Sequence, residues 1–239
     1  MHPLDQFKLH RVKELYLFGL DFSFTNASIS FLVSSVITIV LYYVCTKSLQ
    51  LKANRIQVCG ELFYLMIESM LYRVTKKKNK NIKYILSTLF IFIATNNTLA
   101  IFPFFFSTTS HISVTLCLSM ISFFVVISTG FKYNGISYFN ILLPKNTPLL
   151  FTPLMVLIEL FTFIARPFSL AIRLAANLTA GHVVLKVLSS FILMSKIFGF
   201  LPFILLTILT SFEIFISILQ AYIFVTLVAT YLGEAMNSH

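Results

Sequence analysis

The chain has 239 residues, of which 58% are apolar and 11% charged, and its formal net charge is +10. Globular domains in water carry about 25% charged residues, so a chain this poor in polar groups is stable only where much of its surface faces lipid. The composition excludes an ordinary soluble protein and predicts a multi-pass membrane protein.

The first apolar run long enough to cross a membrane is Ile29 to Cys45, since a helix needs about 20 residues to span a hydrocarbon core of about 30 Å. We expect residues 1–26, which precede it, to form an amino-terminal segment on the outer side of the membrane. The next helical stretch, Arg55 to Val74, has apolar residues at every fourth position: Leu62, Met66, Met70 and Val74. Because charged residues occupy its other faces, this stretch predicts an amphipathic helix on the membrane surface.

Basic residues concentrate between Lys47 and Lys83, where nine Lys and Arg residues accompany two Glu residues. Lys and Arg resist translocation across membranes, so such a cluster is typical of the inner side. No aromatic residues interleave a basic face here, so we predict no nucleic-acid partner. The three cysteines are widely spaced and show no metal-binding pattern, so we predict neither a metal nor a cofactor.

Two further spans are predicted at Tyr84 to Phe102 and Ile112 to Gly130, joined by an outer turn from Pro103 to His111. Together with the first span and the surface helix, they make up a region from residue 27 to 132. The region from 133 to 239 contains two longer apolar runs, Leu149 to Phe191 and Pro202 to Leu232. The first run would reach about 65 Å as a continuous helix, so it must tilt strongly, bend or lie nearly flat.

Charged residues inside these two runs require an explanation, because a charge at mid-membrane costs about 2.5–3.5 kcal/mol even on the lowest scales. In each run the polar residues are spaced by three or four, which places them on one face of a helix. The first stripe consists of Glu159, Thr162, Arg166, Ser169, Arg173 and Asn177, and the second of Thr210, Glu213, Ser217 and Gln220. Two such faces are expected to meet across water or across each other's polar groups.

Arg173 stands beside small residues, Ala175, Ala176, Ala180 and Gly181, which predict close contact with another helix. Arginine keeps its proton, so Arg173 cannot relay one, but it can attract a carboxylate and block proton hopping. An alternative is a structural ion pair with Glu213 or Glu159. His182 is either an interior hydrogen-bonding residue or a proton carrier, whereas Lys186 and Lys196 favour an interfacial position.

The segment from Glu159 to His182, ELFTFIARPFSLAIRLAANLTAGH, resembles the signature helix of subunit a of the F-type ATP synthase. A further match is PLDQF (Pro3 to Phe7), which is similar to mitochondrial members. Asn97 with Ile101, Pro103 and TSH (Thr109 to His111) resembles the family's outer turn, and E-x6-QAY-x-F (Glu213 to Phe224) is similar to its last helix. The resemblance implies an all-α integral membrane protein of about six helices, with an amphipathic surface helix and a long, strongly tilted hairpin formed by the last two helices.

The resemblance also implies roles for individual residues. Arg173 would be the stator arginine that faces the ring of c subunits, and Glu159 would lie near the exit toward the inner side. His182 and Glu213 would be polar members of the outer half-channel, with Asn177 and Gln220 lining the same region. Ser217 and Asn97 would also belong to the proton path. Arg166 and Ser169 would have secondary roles.

The implied function is proton translocation by two offset half-channels that serve carboxylates of the c-ring, within a mitochondrial inner membrane and with the amino terminus on the intermembrane-space side. The other partners would be Fo and peripheral-stalk subunits, and the chain would perform no covalent chemistry itself. Two alternatives come from other classes. The chain could be a secondary transporter that binds an anionic solute through Arg166 and Arg173, or a non-transporting assembly scaffold with dry polar stripes.

Overall fold

The computed structural model of the chain describes residues 8–14, 16–17, 20–21, 23–47, 54–76, 79–102, 105–135, 137–138, 151–194 and 200–236. Several residues used in the sequence predictions lie outside these ranges, namely Pro3 to Phe7, Pro103 and Lys196. The amino-terminal part forms two short antiparallel pairs, β1 (Arg11–Lys13) with β4 (Phe24–Thr25) and β2 (Tyr16–Leu17) with β3 (Leu20–Asp21).

Long helices make up nearly all of the rest of the described chain. They are α1 (Asn26–Lys47), α2 (Arg55–Thr75), α3 (Lys80–Ile101), α4 (Ile112–Asn134), α5 (Thr152–Met194) and α6 (Phe200–Met236). All but α2 are long and apolar enough to cross a membrane. The predicted all-α membrane fold and the separate character of the amphipathic helix are therefore confirmed, whereas the division of the chain at residues 26 and 132 stays a prediction.

Local sequence signals explain where α2 begins and ends. The side chain of Asn54 accepts a hydrogen bond from the backbone N–H of Arg55, and Lys76 ends the helix in the left-handed conformation with φ 52°. The predicted apolar stripe of α2 is only partly the face that packs on the protein. Met70 is buried, but Leu62 is 61% exposed, and Ile67 and Leu71 complete the buried face instead. The i+4 pattern identified an apolar side but not which part of it meets protein.

Helix α5 runs for 43 residues and has Pro167 in its interior. At 1.5 Å per residue its length is about 65 Å, more than twice the roughly 30 Å of a bilayer core. The helix therefore cannot stand upright in a membrane. Helix α6, with 37 residues, packs against α5 and also against α2, α3 and α4, so it forms the centre of the bundle.

Hydrogen bonds show which segments share an end of the bundle. At one end, the backbone N–H of Phe106 donates to the Ser30 hydroxyl at 3.2 Å. At the other end, Lys83 forms an ion pair with Glu68 at 2.7 Å. There too, the Asn134 side chain donates to the backbone oxygen of Ala235 at 2.7 Å. The loop between α3 and α4 thus lies with the start of α1, and the basic region lies with the end of α6.

Candidate functional site

The polar stripe of α6 is buried inside the bundle rather than turned to its surface. Glu213, Ser217 and Gln220 are 8%, 2% and 5% exposed. With Asn97 of α3 and Asn177 of α5, they line a cavity of about 210 Å³. The structure thus brings together five of the residues predicted for the proton path, from three different helices.

Glu213 and His182 face each other across the α5–α6 contact. Their Oε1 and Nδ1 atoms are 4.0 Å apart, and both side chains are about nine-tenths buried. Neither carboxylate oxygen of Glu213 has a hydrogen-bond partner among the described residues. A Cβ atom at position 181 would lie 2.6 Å from Oε1 of Glu213, so the glycine before His182 makes room for this carboxyl group.

A second cavity, of about 850 Å³, lies on the other side of His182. His182, Lys186 and Ser107 line it, and Leu185 lines both this cavity and the smaller one. The second cavity adjoins the amino-terminal end of α1 and the loop between α3 and α4. The His182–Glu213 contact therefore stands between a larger space near that end of the bundle and a smaller space between α3, α5 and α6.

The two asparagines of α3 make different contacts. Asn97 is fully buried and donates from Nδ2 to the backbone oxygen of Ser217 at 3.3 Å. The Oδ1 atom of Asn96 accepts a hydrogen bond from Thr108 at 3.1 Å. Asn97 therefore ties α3 to the polar stripe of α6, whereas Asn96 fixes the loop between α3 and α4.

Arg173 lies on the outer surface of α5. Its side chain is exposed, and within the described ranges it forms no ion pair: the pairs of Glu159 and Glu213 are with Arg166 and His182. The structure thus does not show the intramolecular pair considered as an alternative from the sequence. Arg173 instead belongs to an exposed surface with Ser169, Ala176 and Ala180.

At the opposite end of α5, Arg166 binds two carboxylates. Its guanidinium is 2.6 Å from Glu234 and 3.7 Å from Glu159, and its central carbon lies 4.8 Å from the centre of the Tyr231 ring. Glu159 therefore lies far from His182 along α5. Glu234, which follows the last apolar run, was not among the residues predicted for the site. In an antiparallel hairpin with His182 opposite Glu213, the end of α6 returns toward Arg166. The antiparallel direction of the two helices was therefore the signal from which the Arg166–Glu234 contact could have been predicted.

These groups can move or hold protons but show no covalent machinery. A carboxyl group and an imidazole, buried side by side between two cavities, are groups that accept and donate protons. Among the described residues, no three His, Cys, Asp or Glu side chains form a cluster that could hold a metal ion.

Comparison with protein families agrees with this geometry. The sequence model of the family described as ATP synthase A chain matches residues 28–233, which is most of the chain and includes every site residue named above except Glu234. Of the functions considered from the sequence, this match supports proton translocation over solute transport or scaffolding. The chain belongs to the ATP synthase A chain family and is a multi-pass membrane subunit of the Fo sector, involved in proton translocation and not itself a catalyst.

Proposed function

We propose that the chain forms two offset half-channels, an outer one that ends at Glu213 and an inner one at the Arg166 cluster, with Arg173 as the barrier between them. The observation that carries the proposal is the position of His182 and Glu213 between two cavities. A proton from the larger cavity reaches His182, passes to Glu213 and enters the smaller cavity lined by Asn97, Ser217 and Gln220.

The exposed surface around Arg173 is where the c-ring would dock. Its small residues, Ala176 and Ala180, allow another helix to approach closely in lipid. A permanent cation without a partner in the described chain can hold the ionised carboxylate of a neighbouring subunit. Because arginine does not give up its proton, a proton leaving the outer half-channel cannot hop past Arg173 and must travel on the ring.

The inner half-channel would receive the proton after the ring has turned. Glu159 and Glu234 lie at the end of the bundle that holds the basic region, which the positive-inside tendency assigns to the inner side. The same orientation puts the amino terminus and the larger cavity on the outer side. We place the chain in the mitochondrial inner membrane, on the similarity of its PLDQF segment and of its His182 and Glu213 arrangement to mitochondrial members.

Proton flow between the half-channels supplies the energy for rotation. Each elementary charge that crosses gains about 2.3 kcal/mol per 100 mV of membrane potential. The c-ring and the stalk subunits would transmit that energy to the catalytic head. This chain contributes positioned charges and a hydrated path.

The test is ATP-driven proton pumping by the complete synthase in vesicles, with passive proton conductance measured on the same samples. Arg173→Ala is expected to abolish coupled pumping without loss of assembly. Ser190→Ala is the matched control, because Ser190 is exposed on the same helix. Its hydroxyl donates to the backbone oxygen of Val187, one turn earlier in that helix. Normal pumping by an assembled Arg173→Ala variant would overturn the proposal.

A further inference from the structure

The wall of the larger cavity carries a second polar stripe of α5, formed by His182, Lys186 and Ser189. Their spacing of four and three residues places them side by side, with about 5–6 Å between neighbouring Cβ atoms. Lys186 is half-buried. The cavity volume of about 850 Å³ lies within the range of about 300–1,000 Å³ that small-molecule sites occupy. An ammonium group thus stands next to His182 in a space that can admit a small ion.

The charges around this space favour an anion. No Asp or Glu is among the described residues that line the cavity, and no carboxylate of the described chain forms an ion pair with Lys186. Ser107 also lines the cavity. This residue is 8% exposed, and its Oγ atom is buried without a hydrogen-bond partner among the residues described. A lysine ammonium and an unused hydroxyl are the donors that a phosphate oxygen accepts from.

The proposed function gives such a site a purpose. At neutral pH the hydronium concentration is about 10⁻⁷ M, so encounters at about 10⁹–10¹⁰ M⁻¹s⁻¹ deliver roughly 100–1,000 free protons per second. A buffer anion at millimolar concentration carries its protons at about 10⁴ times that concentration, and a positive charge at the mouth of the path raises the local concentration of that anion.

We propose that Lys186 and Ser107 form a docking site for a proton-carrying phosphate anion, which delivers its proton to His182. This inference rests on the proposed function of the larger cavity as the proton inlet. In the step, an O–H bond of dihydrogen phosphate breaks as an N–H bond forms on a neutral ring nitrogen of His182. Hydrogen phosphate then leaves, and His182 passes the proton toward Glu213.

The experiment measures proton-driven ATP synthesis by the complete synthase in vesicles of neutral phosphatidylcholine, with the catalytic heads outward and the inlet facing the lumen. The lumen contains either phosphate or imidazole, at equal pH, buffering capacity and ionic strength. The native enzyme is expected to synthesise ATP about threefold faster with phosphate. This ratio is the Boltzmann factor by which a unit positive charge such as the Lys186 ammonium concentrates a unit negative charge roughly 6 Å away in water. A third lumen contains imidazole with dimethyl phosphate, which has the phosphodiester chemistry of a lipid headgroup but no proton to give, and we expect no acceleration.

Variants assign the effect to the site. Lys186→Gln is expected to remove the phosphate advantage and Lys186→Arg to keep it, whereas Ser107→Ala reduces it. Lys132→Gln, which changes an exposed lysine at the other end of the bundle, should leave it intact.

Three results would overturn the inference: equal native rates in phosphate and imidazole, a full phosphate advantage in Lys186→Gln, or equal acceleration by dimethyl phosphate. Failure of the proposed function has a different signature. In that case Glu213→Gln would run at the native rate in every buffer.

Discussion

The two ends of the α5–α6 hairpin use the same residue types in opposite ways. Toward the larger cavity, Glu213 is buried beside His182, and neither of its oxygens has a hydrogen-bond partner in the described chain. Toward the other end, Glu234 is 49% exposed and binds Arg166 at 2.6 Å, with Glu159 close by. Glu213 is thus buried without a hydrogen-bond partner among the described residues, whereas Glu159 and Glu234 are paired with the permanent cation of Arg166.

This difference separates a buried carboxyl group without a described hydrogen-bond partner from two carboxylates that share one guanidinium. Desolvation without a partner disfavours the ionised form of a carboxyl group, whereas a neighbouring guanidinium favours it. The Glu213 end is therefore suited to accept and release protons. The Arg166 end is suited to hold the helices together and to offer a polar surface. The following predictions test that contrast, in order of expected effect.

The largest effect is expected from Glu213→Gln, which keeps the shape of the side chain but removes its ability to titrate. Loss of a positioned proton-transfer group costs about 10²–10⁴-fold in typical sites, so we expect proton-driven ATP synthesis to fall at least about tenfold. Glu234→Gln is the matched change at the other end and should cost much less. Equal losses in the two variants would contradict the proposed contrast.

A smaller effect is expected from Gly181→Ala. The new methyl group would lie 2.6 Å from Oε1 of Glu213, so the carboxyl group must move away from His182, and proton flux should drop several-fold because proton transfer requires hydrogen-bond reach. Proton-driven ATP synthesis is again the measurement. Adding Glu213→Asp retracts the carboxyl group by one methylene and should restore part of the flux. No rescue would show that the alanine acts through packing elsewhere.

At the other end, Arg166→Gln should affect stability more than flux. The change leaves Glu159 and Glu234 near each other without their shared cation. Because these groups are partly exposed, the loss is expected to be about 1 kcal/mol, measured as a lower melting temperature of the purified subunit complex. Thr162→Ala is a suitable control, since the Thr162 hydroxyl bonds only to its own helix at Ile158. Unchanged stability together with lost flux would assign Arg166 to the proton path instead.

The smallest effect concerns pH and the loop between α3 and α4. Burial lowers the pKa of His111 from its ordinary value of 6.5, and its ring stacks on Phe106. The folded protein therefore protonates His111 only at a lower pH than the unfolded protein does. The contribution of neutral His111 to the free energy of unfolding is fully present above about pH 6.5 and is lost as the pH falls. His111→Gln should make the melting temperature less sensitive to acid, whereas His10→Gln, which changes an exposed histidine, should not.

Periodicity and length were enough to predict most of the fold. A clean apolar run between polar ends predicted α1, and the i+4 pattern with charges on its other faces predicted α2. Helix α3 begins four residues earlier than the predicted span because Asn79 caps it. Helix α5 runs from Thr152 to Met194 with Pro167 in its interior, close to the predicted run. Proline penalties are local, and the packing of a long apolar helix outweighs them.

The site was predicted only in part, because spacing identifies a face but not what meets it. Three residues of the stripe on α6, Glu213, Ser217 and Gln220, line one cavity together with Asn97 and Asn177. The stripe on α5 divides: Arg173 turns outward, whereas Arg166 turns to Glu234. Which side chains of α5 meet α6 depends on the register between the two helices. The residue spacing within one helix does not determine that register. The individual roles of these residues stay predictions.

The distance along α5 between its two polar ends determines how the membrane voltage is distributed. From Asn177, which lines the smaller cavity, to Arg166, the helix rises roughly 16 Å along its axis. Because α5 is not upright, the separation across the membrane is at most about half of the bilayer core. Under the proposed function, water reaches Asn177 from one side and Arg166 from the other and conducts, so the potential falls almost entirely across the dry layer that contains Arg173. The electric field at Arg173 would then be at least about twice that in the surrounding lipid, and a ring carboxylate bound there would meet the steepest part of the gradient.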